Sequence, residues 1–224
     1  TRRESEEQRR IFSGLGVTLV ALVLVMLVSA YQRLGLYEAV YGFSRLRTYT
    51  HVFLIWIGLL LVATIVLEVL RKERAFALAA VIASFGFAIS LSFLNVDAFI
   101  VRQNIQREIS GSNDAFTQGR VDLDAQYFLD LSDDAVPALT NAYRTPSLPV
   151  PVKEKVGAAL ACIRHQRQSD SRDYPWQSFH ISRLSADNDL AVLKKELDKY
   201  KITDTNMIIT PKGDEFSCYA YYYD

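Results

Sequence analysis

Three long stretches without a charged side chain constrain this chain more than any other feature. Residues 11–30 (IFSGLGVTLVALVLVMLVSA) carry no charge over 20 positions, and a helix of that length spans about 30 Å, the thickness of a bilayer's hydrocarbon core. Residues 49–70 (YTHVFLIWIGLLLVATIVLEVL) are uncharged between His51 and Glu68. They place Tyr49 and Trp56 towards one end, where amphipathic rings favour the headgroup level, and are closed by Arg71 and Lys72. Residues 75–94 (AFALAAVIASFGFAISLSFL) are again free of charge. Hydrocarbon offers the backbone no hydrogen-bond partner, so spanning segments of this kind are helices. Residues 1–10 (TRRESEEQRR) read as a hydrophilic connector, and position 1 is Thr, so the chain reads as a fragment or a processed product. The first run is too long for a signal peptide's apolar region of about 7–15 residues.

Charge confirms the division of the chain. The formal net charge of zero conceals ten Lys/Arg and six acids over residues 1–95 against fifteen and nineteen over residues 96–224. A simple water-soluble enzyme and a free nucleic-acid binder are both disfavoured, and the partner that the composition implies is the lipid bilayer. Lys/Arg counts near the spans set the expected orientation. With the N-terminus inside, seven bases (Arg2, Arg3, Arg9, Arg10, Arg71, Lys72, Arg74) face the cytoplasm and five (Arg33, Arg45, Arg47, Arg102, Arg107) face outwards. The expected arrangement is a multi-pass protein of the cell membrane with a cytoplasmic N-terminus and an extracytoplasmic tail. In the third span Ala80, Ser84, Ala88 and Ser92 recur every fourth position, with Gly86 and Ser90 beside them. Such a small-residue face suits close helix packing within a bundle, the alternative being a pore or substrate path lined by the serines.

The expected fold is an all-α membrane protein: three transmembrane helices, a membrane-exit amphipathic helix over residues 96–111, and a small, mainly α soluble domain over residues 112–224. Asp97 opens the exit helix, with Phe99, Ile100, Ile105 and Ile109 able to share a face. Residues 123–131 and 132–144 read as helices capped by Asp122 and Ser132. Three prolines (Pro146, Pro149, Pro151) break the chain before a further helix over residues 152–166. Helices are also expected around Pro175-Trp176 and over residues 187–200, the latter with Leu190, Leu193 and Leu197 on one side. Residues 207–210 and 216–223, separated by Pro211-Lys212-Gly213-Asp214, suit a terminal β-hairpin, with the aromatic cluster of Tyr219 and Tyr221 to Tyr223 on its second strand. The two cysteines, Cys162 and Cys218, both lie in the tail. One disulfide or two buried thiols are equally compatible with their placement, and an extracytoplasmic tail permits the bond.

Residues 36–53 (LYEAVYGFSRLRTYTHVF), then WIGLLL, and beyond the third span LNVDAFIVRQNIQR and FLDLSDDAVPAL, carry a resemblance. The pattern resembles bacterial integral-membrane proteins classed as domain of unknown function 4173, with the related 4153 group, over roughly residues 11–165. The resemblance implies that the chain is the C-terminal part of a longer multi-pass protein. The family's Asn-Pro-Asp step reads Asn95-Val96-Asp97 here, which leaves open how the chain exits the third span. It implies no established activity.

The strongest functional constellation is assembled by topology. The loop between the first two spans and the residues after the third emerge on one membrane face, so Tyr41, Arg45, Arg47, Tyr49 and His51 come from one side and Asp97, Arg102 and Asn104 from the other. Guanidinium forks beside hydroxyls and an imidazole suit a lipid phosphate or another anion; the structural alternative is that an Arg pairs with Asp97 or Glu38. Glu68, close before Arg71 and Lys72, reads as one half of a headgroup-level ion pair at helical spacing, the alternative being an intramembrane carboxylate that couples an ion. No spacing of His, Cys or carboxylates suits a metal, no cofactor motif occurs, and no nucleophile elbow or phosphate loop is present, so no catalytic residue is assigned and an enzyme is not favoured. The leading expectation is therefore a membrane protein with an extracytoplasmic interaction or structural domain, for another envelope protein or a second copy of the chain. A transporter or channel component, and an envelope enzyme acting on a lipid-linked phosphate, are its rivals.

Overall fold

A computed structural model describes residues 6–111, 122–169, 180–203 and 205–219. The first half of the expected connector, the Pro175-Trp176 helix and the Tyr221 to Tyr223 cluster lie outside the described residues. The chain divides into two compact units, one of residues 1–39 and 44–94, the other of residues 40–43 and 95–224.

The first unit is built on three helices long and apolar enough to cross a membrane: α1 (Glu6–Tyr41), α2 (Arg45–Val69) and α3 (Phe76–Leu94). Large apolar side chains stand exposed along all three, among them Leu19, Leu22, Ile55, Leu59, Ile82 and Phe85. In water such surface would be strongly unfavourable; in lipid it is the solvated surface. The helix of the first span is much longer than its 20-residue apolar run. It continues to Tyr41, so the expected loop between the first two spans shrinks to Gly42, Phe43 and Ser44. Gly42 stops the helix because it adopts φ +85°, a backbone conformation that side-chain-bearing residues resist. Ser44 then opens α2 as an extended N-cap, its Oγ accepting from Arg47 N–H.

The small-residue stripe of α3 packs differently from the expectation. Ser84 and Ser92 donate to the carbonyls of Ala80 and Ala88 in their own helix and stay exposed. It is the neighbouring pair that meets α2. The Trp56 indole N–H donates to Ser90 Oγ at 3.0 Å, and a Cβ on Gly86 would lie 2.1 Å from the Trp56 ring. A flat indole needs a notch, and only glycine leaves one. The Phe53 and Phe87 rings meet edge to face on the same helix pair. After Val69 the chain leaves the helix: Leu70 caps it and Arg71 takes φ +55°.

The second unit opens at Asn95, which turns the chain from α3 into α4 (Val96–Gly111) with φ +42°. Its side chain then accepts from Ala98 N–H at 3.2 Å, capping the new helix. Val96 occupies the first helical position, where the backbone N–H has no helical partner. Of the two helices expected over 123–144, the first is a 3-10 turn at Gln126–Asp130, and the second opens after Ser132 with a 3-10 turn at Asp133–Ala135 and continues as α5 (Val136–Arg144). Next come α6 (Val150–Ser169), α7 (Ile181–Val192) and the single turn α8 (Lys194–Leu197). The helix expected over 187–200 is thus broken at Leu193. Leu190, Leu193 and Leu197 are nevertheless all buried on one side, as their spacing predicts.

The centre of this unit is α6. Val156 and every residue from Gly157 to Cys162 are buried, so the helix is surrounded and is small where neighbours press closest. A Cβ on Gly157 would fall 2.0 Å from Tyr200 Oη and 2.8 Å from the Tyr143 ring. The terminal hairpin is part of a three-stranded antiparallel sheet in the order β1 (Lys201–Ile202), β2 (Met207–Ile209), β3 (Glu215–Ser217). Ile208 pairs with Phe216 and is fully buried against the helices, while Tyr219 is exposed. A disulfide joins Cys162 of α6 to Cys218 after β3, a sequence separation of 56.

Candidate functional site

Of the eight residues that topology assembled into an anion-binding set, Arg45, Arg47, Tyr49 and His51 belong to the first unit, and Tyr41, Asp97, Arg102 and Asn104 to the second. In the first unit the set lies on the opening turns of α2. Arg45 and Arg47 are half-buried and Tyr49 exposed. The His51 ring is engaged twice: Nδ1 lies 2.9 Å from Glu38 Oε1, and Tyr31 meets the ring edge-on at 4.6 Å between centroids. Glu38 is only 3% exposed, so the imidazole supplies the polar partner that this carboxylate needs inside the protein. This pair ties the end of α1 to α2.

In the second unit two of the four have definite structural employment. Asn104 is buried and grips one backbone residue from both sides. Its Oδ1 accepts from Phe43 N–H at 2.7 Å and its Nδ2 donates to Phe43 C=O at 2.9 Å. The adjacent turn of α4 extends the grip: Arg107 Nη1 donates to Val40 C=O at 2.8 Å, and the Phe43 and Phe99 rings stack edge to face. Gly42 makes room, since a Cβ there would lie 2.6 Å from Asn104 Oδ1 and 3.2 Å from Arg107 Nη2. Asp97 is also buried, its Oδ2 accepting from Ser132 N–H at 2.8 Å, which fastens α4 to the turn before α5. Arg102 and Tyr41 are exposed. Arg107 is the member that the sequence-based set omits. The signal that finds it is Gly42, a helix-ending glycine whose freed carbonyls need donors.

A second place with recognisable chemistry lies wholly in the tail. A cleft of about 450 Å³ opens beside the end of α6, with Leu131, Val136 and Ile163 as its apolar wall and Ser132, Gln166 and Arg167 at its polar rim. Arg167 is held between two carboxylates, Asp133 and Asp187, one donor group to each. Gln166 Nε2 donates to Cys218 C=O at 2.7 Å, beside the disulfide. The cleft thus has a fixed wall, and its guanidinium is already neutralised. Such a surface suits apolar and uncharged polar contact better than anion capture.

On the opposite flank Lys155 pairs with Asp122, and Asp122 shares a hydrogen bond with Glu108. The lysine hydrogen bond holds the Asp122 carboxyl below its ordinary range. Burial, and then the neighbouring Asp122, push Glu108 above its own. Among the described residues no three His, Cys, Asp or Glu side chains come together as a metal site would require.

No curated protein and no solved structure matches the chain. A family match exists: residues 1–142 fit the family described as domain of unknown function (DUF4153), so the match is to the 4153 group and not to the 4173 group that the resemblance put first. That match covers the three apolar helices, α4 and most of α5, and the chain belongs to the DUF4153 family.

Proposed function

We propose that this protein is a multi-pass protein of a bacterial cell membrane whose spans hold an α-rich interaction domain on the extracytoplasmic side, with the N-terminus in the cytoplasm. The observation that carries this reading is the disulfide between Cys162 and Cys218 in the domain that follows the third span. Thiols in the cytosol are kept reduced, and structural disulfides persist in oxidising compartments. The Lys/Arg asymmetry favours the same side, above all the turn that carries Arg71, Lys72 and Arg74 between the second and third spans. The tail cleft supplies a surface for another envelope protein or a second copy of the chain.

Thiol accounting in intact cells tests this. Cells are blocked with N-ethylmaleimide under denaturing conditions, then reduced, and the protein is labelled with a maleimide of high mass. Two mass additions are expected after reduction and none before. Labelling blocked completely at the first step, with no addition after reduction, places the tail in the reducing cytoplasm and overturns the reading.

A further inference from the structure

Within the first unit, the start of α1 and the end of α2 line a half-open pocket of about 130 Å³. Val17, Val20, Ile65 and Gly16 line it, together with the polar residues Ser13 and Glu68. Helical spacing pairs Glu68 with Arg71 or Lys72 on paper, but the helix ends at Val69 and Arg71 turns the chain aside. Among the described residues the Glu68 carboxylate has no hydrogen-bond or ion-pair partner. Thr64 also lines the cavity, but its hydroxyl is taken up by Leu60 C=O at 2.8 Å.

Glu68 is half-buried at the apolar end of a membrane span, a setting in which a carboxylate is best answered by a cation. An ionised carboxylate accepts hydrogen bonds and donates none, and a hydroxyl accepts as well, so the two polar groups favour a guest that carries N–H donors. The apolar walls favour a guest with an aliphatic chain behind its charge. We propose that this cavity binds the protonated primary amine of a single-chain amphiphile, with the Glu68 carboxylate as counter-ion, Ser13 Oγ as second acceptor, and Val17, Val20 and Ile65 against the first methylenes. The site lies within the membrane helices and does not depend on which side the tail occupies.

The test uses the full-length protein in phosphatidylcholine nanodiscs, which contain no primary amine, with dodecylamine as probe and native mass spectrometry as readout. Saturable binding of one dodecylamine is expected, with dodecanol and dodecyltrimethylammonium bound far more weakly. Glu68→Gln is expected to weaken binding about tenfold or more, the effect of losing one charge-assisted hydrogen bond. Gly16→Leu separates occupancy from misfolding. Gly16 lines the cavity and a Cβ there meets nothing within 4 Å, so leucine is expected to crowd the cavity, and binding should vanish while thermal stability, measured alongside, stays unchanged. Equal uptake by wild type and both variants, or dodecanol binding as well as the amine, overturns the proposal. So does absence of binding to the wild type.

Discussion

Asn104 shows how a single side chain can be found by sequence and still be misassigned. Topology placed it beside the link between the first two spans, and the structure agrees on the neighbour; yet both ends of its amide are taken up by the backbone of Phe43. Spacing reveals which residues share a membrane face and cannot reveal that a donor and an acceptor 61 positions away fit one amide. Asn104→Ala is expected to destabilise the second unit by about 1–3 kcal/mol, the cost of leaving a buried N–H and C=O unpaired, read as a lowered melting temperature of the detergent-solubilised protein. Asn104→Asp restores the acceptor only and should fall between. The Glu108 and Asp122 pair makes a pH prediction. The folded Glu108 carboxyl titrates above its unfolded value, so its ionisation removes stability as pH rises from about 4.5 through the raised folded value. Asp122 titrates below its unfolded value, so its contribution is present above about pH 3.8 and is lost as pH falls through the depressed folded value. Glu108→Gln should therefore raise the melting temperature at pH 7 and leave it nearly unchanged at pH 4, measured by differential scanning fluorimetry. An equal shift at both pH values contradicts the assignment.

At the scale of elements, two close approaches run through glycine, α3 against α2 at Gly86 and α6 against Tyr143 and Tyr200 at Gly157. The stripe of Ala80, Ser84, Ala88 and Ser92 was legible as a pattern, but the contact runs through Gly86 and Ser90, because a tryptophan on α2 chooses the face and α3 alone cannot disclose its partner. In α6 the run from Gly157 to Cys162 is buried on all sides, so amphipathic periodicity, which reports one buried face, has nothing to read there. Gly157→Ala drives a methyl into Tyr200 and Tyr143 and is expected to cost about 1–3 kcal/mol or more, whereas Gly14→Ala, where a Cβ meets nothing within 4 Å, should be neutral or slightly stabilising. Limited proteolysis of the tail checks the Gly157 variant, and the melting temperature of the detergent-solubilised protein checks the Gly14 variant. Cys218→Ser opens a closed loop of 56 residues and should lower tail stability by about 4 kcal/mol on the chain-entropy account, seen as a loss of thermal stability that reduction of the wild type reproduces. The terminal hairpin was visible from Pro211 to Gly213 and its flanking strands. Strand β1 was not, because two residues carry no periodicity.

For the whole molecule, the apolar runs were the legible part, since a stretch of uncharged residues long enough to cross a bilayer leaves few alternatives. The 3-10 turns and the break at Leu193 were not, because tertiary packing of the tail decides them. Exposed leucines, valines and phenylalanines along α1, α2 and α3 require lipid as their solvent. Extraction of cell membranes at alkaline pH measures this most directly: the protein should remain entirely in the membrane pellet and enter solution only with detergent. Release into the supernatant as a monodisperse species without detergent would contradict it.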